Sequence, residues 1–273
     1  LKIDPNGNVI TCGGTVSNNF PVTGGALQGS IGGGRADGFI TKLNSVGTLI
    51  LNSTFNGTGD YDQNYFVEID AAGDVYVYGQ TAGNYPTTQG VYRNAGSSQF
   101  IHKLDNNLTT TIFSTVFGSG TSRPNISPTA FLVDKCENIY VSGWGGNVNQ
   151  SVNPSTGNTN NMPTTFDAFK SNTDGNDFYF LVLERDAIAP LFGSYYGGNS
   201  SLSSGEHVDG GTSRFDREGV IYQAICAGCG GNSFFPSTVG VWSPSNRSSN
   251  CNLGALKIEF DLSGTDVDLT AIP

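Results

Sequence analysis

A short proline phrase occurs four times in this 273-residue chain and constrains its fold more than any other feature. Each copy has a bulky apolar residue, then proline, then Val, Thr or Ser, and then threonine, and successive prolines lie about 70 residues apart. The copies begin at Phe20, Tyr85, Met162 and Phe235, and each is soon followed by a second bulky residue, namely Leu27, Tyr92, Phe169 or Trp242. A recurring period of this length is the signature of a repeat protein.

Each repeat also has the residue pattern of four β-strands, although the last of them is replaced in the fourth repeat. Upstream of the phrase, a turn that contains aspartate and glycine or asparagine stands before or between apolar segments. This pattern predicts a β-hairpin, because Gly, Asn and Asp tolerate the positive φ of its tight turn. Downstream come an alternating strand and, in three repeats, a Ser/Thr/aromatic strand that ends in glycine. The turn aspartates are Asp4, Asp70, Asp134 and Asp216. No segment shows a sustained 3.6-residue apolar period.

A four-stranded antiparallel unit that recurs along the chain predicts an all-β fold of the β-propeller type. Four four-stranded blades are visible, either as a complete ring or as part of a larger one. The predicted blades cover residues 1–62, 63–122, 123–201 and 202–264, and 265–273 is predicted to be an exit strand or linker toward a following domain. The chain begins inside a strand, without an initiator Met or a signal peptide, which favours a piece of a larger protein or a trimmed product.

The charge balance narrows the range of partners. Only 13% of residues are charged, yet the formal net charge is −10 and the sequence pI is about 4.4. Nucleic acid is excluded as a partner because binding its phosphates requires clustered Lys and Arg. Direct membrane insertion is not expected either, since no apolar run approaches the roughly 20 residues that a membrane helix needs.

Three of the five cysteines lie in the fourth repeat, around its proline phrase. Their spacing predicts a disulfide from Cys226 or Cys229 to Cys251, which would tie the long loop back to its blade. A zinc site and free thiols are the alternatives. A fourth zinc ligand is not evident, because the only histidines are His102 and His207.

The order of these motifs resembles the bacterial seven-bladed β-propeller repeat family. Longer phrases are similar to the propeller region of gliding-motility-associated, PKD-domain-containing surface proteins of Bacteroidetes; they include 141–146, 206–216 and 226–231. That resemblance implies a secreted, cell-surface, adhesin-like protein that is exported by type IX secretion. It also implies the type IX translocon as a partner during export, and surface polysaccharide or other cell-surface proteins as partners afterwards.

One segment gathers histidine, carboxylates and arginine, and it is the best candidate for a chemical site. The residues are Glu206, His207, Asp209, Arg214 and Asp216. An acid/base pair or a metal site can be built from such groups. The segment also occupies the strand that enters the fourth hairpin, where Arg214 paired with a carboxylate would act as an ordinary staple. We predict the structural role and no catalytic residues.

The sequence predicts no cofactor, although some of its turns could accept a calcium ion. Alternating oxygen-bearing side chains on tight turns suit a hard cation, and the candidates are Asp60, Asp62, Asp174 and Asp177. The alternative is that these side chains cap the backbone of their own turns.

The function predicted from the sequence is a non-enzymatic extracellular module that acts as a scaffold or interaction platform. Motifs of common hydrolases, such as Gly-x-Ser-x-Gly and His-Glu-x-x-His, are absent from the sequence. One alternative is a carbohydrate-binding propeller that uses aromatic residues near the proline phrases. A less favoured alternative is a glycan-active hydrolase or lyase centred on His207.

Overall fold

The computed structural model describes residues 1–146, 157–199, 205–208, 213–260 and 262. They form β-strands, with one short 3-10 segment at Arg185–Ala187, so the all-β prediction is confirmed. None of the described helical segments has the length and apolar character needed to cross a bilayer. The strands are β1 Lys2–Ile3, β2 Val9–Thr15, β3 Asp37–Leu43, β4 Ile50–Asn56, β5 Asp62–Ile69, β6 Val75–Thr81, β7 Gln99–Leu104, β8 Thr111–Phe117, β9 Ser127–Val133, β10 Ile139–Trp144, β11 Phe178–Leu183, β12 Pro190–Tyr196, β13 Ser213–Phe215, β14 Ile221–Ala227 and β15 Asn252–Ile258.

The strands pair into four antiparallel sheets in which neighbours along the chain are neighbours in the sheet. Three sheets have four strands, β1 to β4, β5 to β8 and β9 to β12, and the described residues of the fourth give three, β13 to β15. This is the blade arrangement of a β-propeller, as the repeats predict. The predicted exit strand at 265–273 lies outside the described residues.

The chain divides into two compact units. The first unit comprises 1–124, 135–138 and 185–189 and contains the first two sheets. Its apolar core is built mainly from β2, β3, β6 and β7, with Ile10, Ile40, Val75 and Phe100 fully buried. The second unit comprises 125–134, 139–184 and 190–273 and contains the last two sheets. Aromatic side chains such as Phe178, Phe180 and Phe192 dominate its core.

The acidic turns at Asp4, Asp70 and Asp216 are each held by their own aspartate. The Asp70 Oδ1 atom accepts hydrogen bonds from the N–H groups of Ala72 (3.0 Å) and Asp74 (2.9 Å). Asp216 does the same for Glu218 (3.1 Å) and Val220 (3.0 Å). The acidic residue is therefore required by the turn itself, since it satisfies backbone donors that the hairpin leaves unpaired.

The first unit adds a buried lysine to this turn. On β3 and β7, the Nζ atoms of Lys42 and Lys103 lie 2.9 Å from the carboxylates of Asp4 and Asp70. All four side chains are less than a tenth exposed. In the second unit the equivalent position on β11 is Val182, whose strand register matches that of Lys42. The sequence pattern alone did not reveal these ion pairs.

The threonine of the proline phrase covers the edge of the fourth strand in each of the first three sheets. The backbone N–H of Thr88 donates to the Ser114 carbonyl oxygen at 2.9 Å, and its hydroxyl accepts from the Ser114 N–H at 3.1 Å. Thr23 and Thr165 form the same pair of bonds with Ser53 and Gly193. Strand edges carry unpaired backbone groups, so the phrase protects the edge that the sheet leaves open.

Candidate functional site

His207, the histidine of the predicted cluster, has a structural position in the second unit. Its backbone forms a β-bridge with Cys226, with N···O distances of 3.3 and 2.9 Å. Its Nδ1 atom lies 2.9 Å from the carbonyl oxygen of Gly205, and its ring centroid lies 5.6 Å from that of Trp144. The side chain is 7% exposed. These contacts fix the imidazole within the protein.

Glu206 shares a buried glycine with a second carboxylate, Asp177. A Cβ atom placed on Gly197 would lie 2.1 Å from Asp177 Oδ1 and 3.0 Å from Glu206 Oε2, so only glycine fits between them. Glu206 also lies 3.4 Å from the N–H of Gly198. Burial, and then the negative charge of Asp177, raises the pKa of Glu206 to about 7.

Lys170 pairs with one member of this carboxylate pair, Asp177. Its ammonium donates to Asp177 Oδ1 (2.9 Å) and Oδ2 (3.2 Å), and to the carbonyl oxygens of Gly197 (3.1 Å) and Gly198 (3.0 Å). The ammonium thus lies in a cradle of four oxygen atoms. Sequence reasoning missed Lys170, although its position directly after the bulky residue Phe169 marks it within the repeat.

The other members of the cluster are elsewhere. Arg214 is exposed on β13 and has no ion pair among the described residues, while the carboxylate of Asp216 is used by its own turn. The staple predicted between Arg214 and a carboxylate is therefore not observed there. Asp209 lies outside the described residues.

The calcium candidates do not gather into one set of ligands. Asp60 is exposed, and Asp174 caps its own turn through a 2.9 Å bond from the Asn176 N–H. Asp177 is held by Lys170. In the described part of the chain, no group of three or more His, Cys, Asp or Glu side chains is arranged to hold a metal ion. Asp62 differs from the other three candidates, because its side chain is fully buried beside the carboxylate of Asp37.

A disulfide joins Cys229 to Cys251, which confirms the predicted link and selects Cys229 over Cys226 as the partner. It closes a loop with a sequence separation of 22. Next to it, the Asn246 side-chain amide donates to the carbonyl oxygens of Gly228 (2.9 Å) and Asn250 (2.7 Å). The loop is therefore tied at both the sulfur atoms and the backbone.

A shallow polar groove of about 90 Å³ lies against this tied loop. Its lining is uncharged and rich in side chains that both donate and accept hydrogen bonds. The lining residues are Ala227, Gly228, Asn232, Ser233, Phe235, Ser237, Ser243, Pro244, Ser245, Asn246, Asn252, Leu253 and Gly254. Gly228 and Asn252 each adjoin a disulfide cysteine, so the bond holds two parts of the lining together.

Exposed aromatic side chains flank the groove in sequence. Trp242, which directly precedes the lining residue Ser243, is 99% exposed. Phe234, which directly precedes the lining residue Phe235, is 56% exposed. By contrast, Tyr85 in the first unit is 5% exposed and stacks on Phe100 with ring centroids 3.9 Å apart. The aromatics near the proline phrases therefore divide into buried core residues and exposed ones.

No known protein-family model matches the sequence, and no curated protein matches it. A solved structure with a similar fold is a polysaccharide lyase of family PL25, an ulvan lyase bound to -[GlcA(1-4)Rha3S]-. The similarity has a TM-score of 0.44 and 13% sequence identity, and it covers 98% of this chain but 56% of that one. At these values, the likeness assigns neither a residue role nor a substrate to this chain.

This comparison corrects one sequence-based prediction. The chain was predicted to be non-enzymatic, whereas the similar solved structure is that of a polysaccharide lyase.

Proposed function

We propose that this chain is a carbohydrate-binding β-propeller module, and that the groove beside the Cys229–Cys251 disulfide binds an uncharged sugar chain. The observation that carries the proposal is the fully exposed indole of Trp242, which directly precedes Ser243 in an uncharged groove lined with Asn and Ser. Small-ligand sites typically combine aromatic side chains with a few convergent polar groups in a concave surface.

The chemistry of the groove suits a sugar. Sugar hydroxyls donate and accept hydrogen bonds, as do the side chains of Asn232, Asn252 and the lining serines. The apolar face of a pyranose ring packs on a flat aromatic ring such as that of Trp242. The disulfide restricts the loop before binding, which reduces the entropy that ordering the site would cost.

Placement outside the cell is part of the same proposal. A disulfide persists in oxidising compartments, which supports a secreted or surface-exposed chain. A surface protein carried by type IX secretion, as the motif resemblance implies, accords with a module that contacts polysaccharide.

Affinity measurements on soluble polysaccharides test the binding site. We expect calorimetric titration with a panel of laminarin, mannan and dextran to show binding to at least one, and Trp242→Ala to weaken it at least about tenfold, a loss of about 1.4 kcal/mol. Phe166→Ala is the matched control, because Phe166 is 95% exposed in the same unit and outside the groove. Binding that survives Trp242→Ala, or that is lost equally in Phe166→Ala, would contradict this site.

Glycan cleavage is a second candidate, and Glu206 favours it. A carboxyl group with a pKa of about 7 beside a second carboxylate is the pairing that general acid catalysis of glycoside hydrolysis uses. Glu206 is only 4% exposed, which ranks cleavage behind binding. Reducing-end release from the same polysaccharides, present in the wild type and abolished in a folded Glu206→Gln variant, would establish it.

A further inference from the structure

Two fully buried carboxylates of the first unit each have an oxygen atom without a hydrogen-bond partner among the described residues. Asp37 Oδ2 accepts from the Gln28 side-chain amide (3.1 Å) and from the Gly32 N–H (2.5 Å), whereas Asp37 Oδ1 has no partner. Asp62 Oδ2 accepts from the N–H (2.5 Å) and hydroxyl (2.8 Å) of Thr58, whereas Asp62 Oδ1 has none. Both residues are 0% exposed.

The carboxylates of Asp37 and Asp62 lie close together, because two consecutive residues, Gly57 and Thr58, each contact one of them. A Cβ atom on Gly57 would lie 2.7 Å from Asp37 Cγ, and Thr58, the next residue, binds Asp62. Burial raises the pKa of Asp62; the hydroxyl of Thr81 and the donors of Thr58 oppose this rise, and the charge of Asp37 adds to it. The nearby Thr81 hydroxyl donates to the Gly83 carbonyl oxygen at 3.4 Å. Two buried negative charges without a counter-charge are costly.

The second unit shows what the same place holds when a cation is present. The Lys170 N–H bonds the Ser194 hydroxyl at 3.1 Å, as the Gln28 N–H bonds the Thr54 hydroxyl at 2.9 Å, so Lys170 and Gln28 are equivalent. Asp177 precedes β11 as Asp37 opens β3. In the second unit, the ammonium fills a cradle of four oxygen atoms. In the first unit, a neutral amide replaces that ammonium.

We propose that Asp37 and Asp62 bind a calcium ion, which takes the part in the first unit that the Lys170 ammonium takes in the second. The unpartnered oxygens Asp37 Oδ1 and Asp62 Oδ1 are its carboxylate ligands. Calcium accepts carboxylate, amide, carbonyl and water oxygens with flexible geometry, so two carboxylates with neutral oxygens around them suffice. The site is distinct from the sugar groove and does not depend on it.

Titration of chelator-treated protein with CaCl₂ tests this site directly. We expect calorimetry to show about one ion per chain, and thermal unfolding to shift upward by at least about 2 °C in Ca²⁺ relative to EGTA. Asp62→Asn and Asp37→Asn keep the side-chain shape but remove a charged ligand, and each is expected to lower the affinity at least about tenfold. Asp60→Asn, an exposed change two residues away, is the matched control and is expected to bind as the wild type does.

Gln28→Lys is the sharpest variant, because it gives the first unit the side chain of the second. We expect this variant to be folded and stable in EGTA and to have lost its calcium response. The proposal is overturned if the wild type binds no Ca²⁺, or if folded Asp37→Asn and Asp62→Asn variants retain the response. It is also overturned if Ca²⁺ has no effect while Asp62→Asn alone stabilises the protein at pH 7, since the two carboxylates then share a proton.

Discussion

The two units of this chain bury the same pair of acidic groups and compensate them differently. In the second unit, Lys170 places an ammonium on Asp177 beside Glu206. In the first unit, Gln28 occupies the equivalent position and leaves Asp37 and Asp62 each with an unpartnered oxygen. One side chain within a repeat therefore decides whether a buried site carries its own counter-charge.

The units also differ in the interactions that stabilise their sheets, which include buried ion pairs at the acidic turns in the first and a disulfide in the second. The first unit buries the Lys42–Asp4 and Lys103–Asp70 ion pairs between a strand and the acidic turn. The second has Val182 at the equivalent position of its first sheet and a disulfide in its last. The repeat thus preserves the backbone pattern while the means of compensating charge and restraining loops vary.

Removal of the Lys170 ammonium is expected to have the largest effect. Lys170→Met leaves Asp177 buried without its cation, and we expect the free energy of unfolding of the second unit to fall by about 3–5 kcal/mol. Both tryptophans of the sequence, Trp144 and Trp242, belong to this unit, so urea unfolding followed by tryptophan fluorescence reports it.

Lys257→Met is the control for that experiment, because Lys257 lies over the Tyr222 ring at 5.7 Å rather than in a buried ion pair. A loss of about 1 kcal/mol or less is expected for it. Equal losses in the two variants would show that the oxygen cradle contributes no special stability.

The buried lysines of the first unit come next. Lys103→Met is expected to cost near the lower end of about 3–5 kcal/mol, because Asp70 loses its partner while Glu137, which also contacts Lys103, is 24% exposed and stays hydrated. Circular dichroism during thermal unfolding measures the effect. Lys135→Met, an exposed change in the same unit, is expected to stay within about 0.5 kcal/mol.

Cys251→Ser tests how much the disulfide stabilises the second unit. Opening the Cys229–Cys251 loop is expected to lower stability by about 3 kcal/mol under oxidising conditions, through the loop entropy that the disulfide removes from the unfolded chain. Addition of a reductant is expected to bring the wild type to the level of the variant. A wild type that is unaffected by reductant while Cys251→Ser is destabilised would locate the effect in packing instead.

The smallest effect is the pH dependence of stability that Glu206 contributes in the second unit. The folded-state pKa of Glu206 is about 7, above its ordinary value of 4.5, so its stabilising contribution is complete below pH 4.5 and is lost as the pH rises through 7. Glu206→Gln cannot ionise, and we expect its stability relative to the wild type to rise by about 2 kcal/mol between pH 4.5 and pH 8. Parallel stability curves for the two proteins across that range would contradict the assignment.

The sequence predicted those features that one repeat contains within itself. The acidic turns at Asp4 and Asp70, the strand order and the loop position of the proline phrase follow from local patterns, and the structure agrees with them. The disulfide was predictable because its cysteines fall in one loop.

Charge compensation was not predictable, because its partners are distant in sequence and are joined only by the pairing of strands. Lys42 meets Asp4 only when β1, β2 and β3 lie side by side. Asp37 and Asp62 open two strands of different sheets, and only Asp62 was marked as a ligand candidate by its turn pattern. Asp60 looked equally suitable in the sequence and is exposed.

The threonine that covers each fourth strand has a consequence for how such a chain grows. Because Thr23, Thr88 and Thr165 bind the edge of the sheet that their own repeat forms, the protection is inherited with the repeat. A gene segment that is copied and inserted therefore encodes a sheet together with the loop that bonds its outer strand. The enlarged protein then exposes no additional unpaired strand edge on which other chains could aggregate. Selection can then alter buried residues such as Gln28 and Lys170 one copy at a time, which lets related sheets diverge in the ions and ligands they accept while the backbone stays constant.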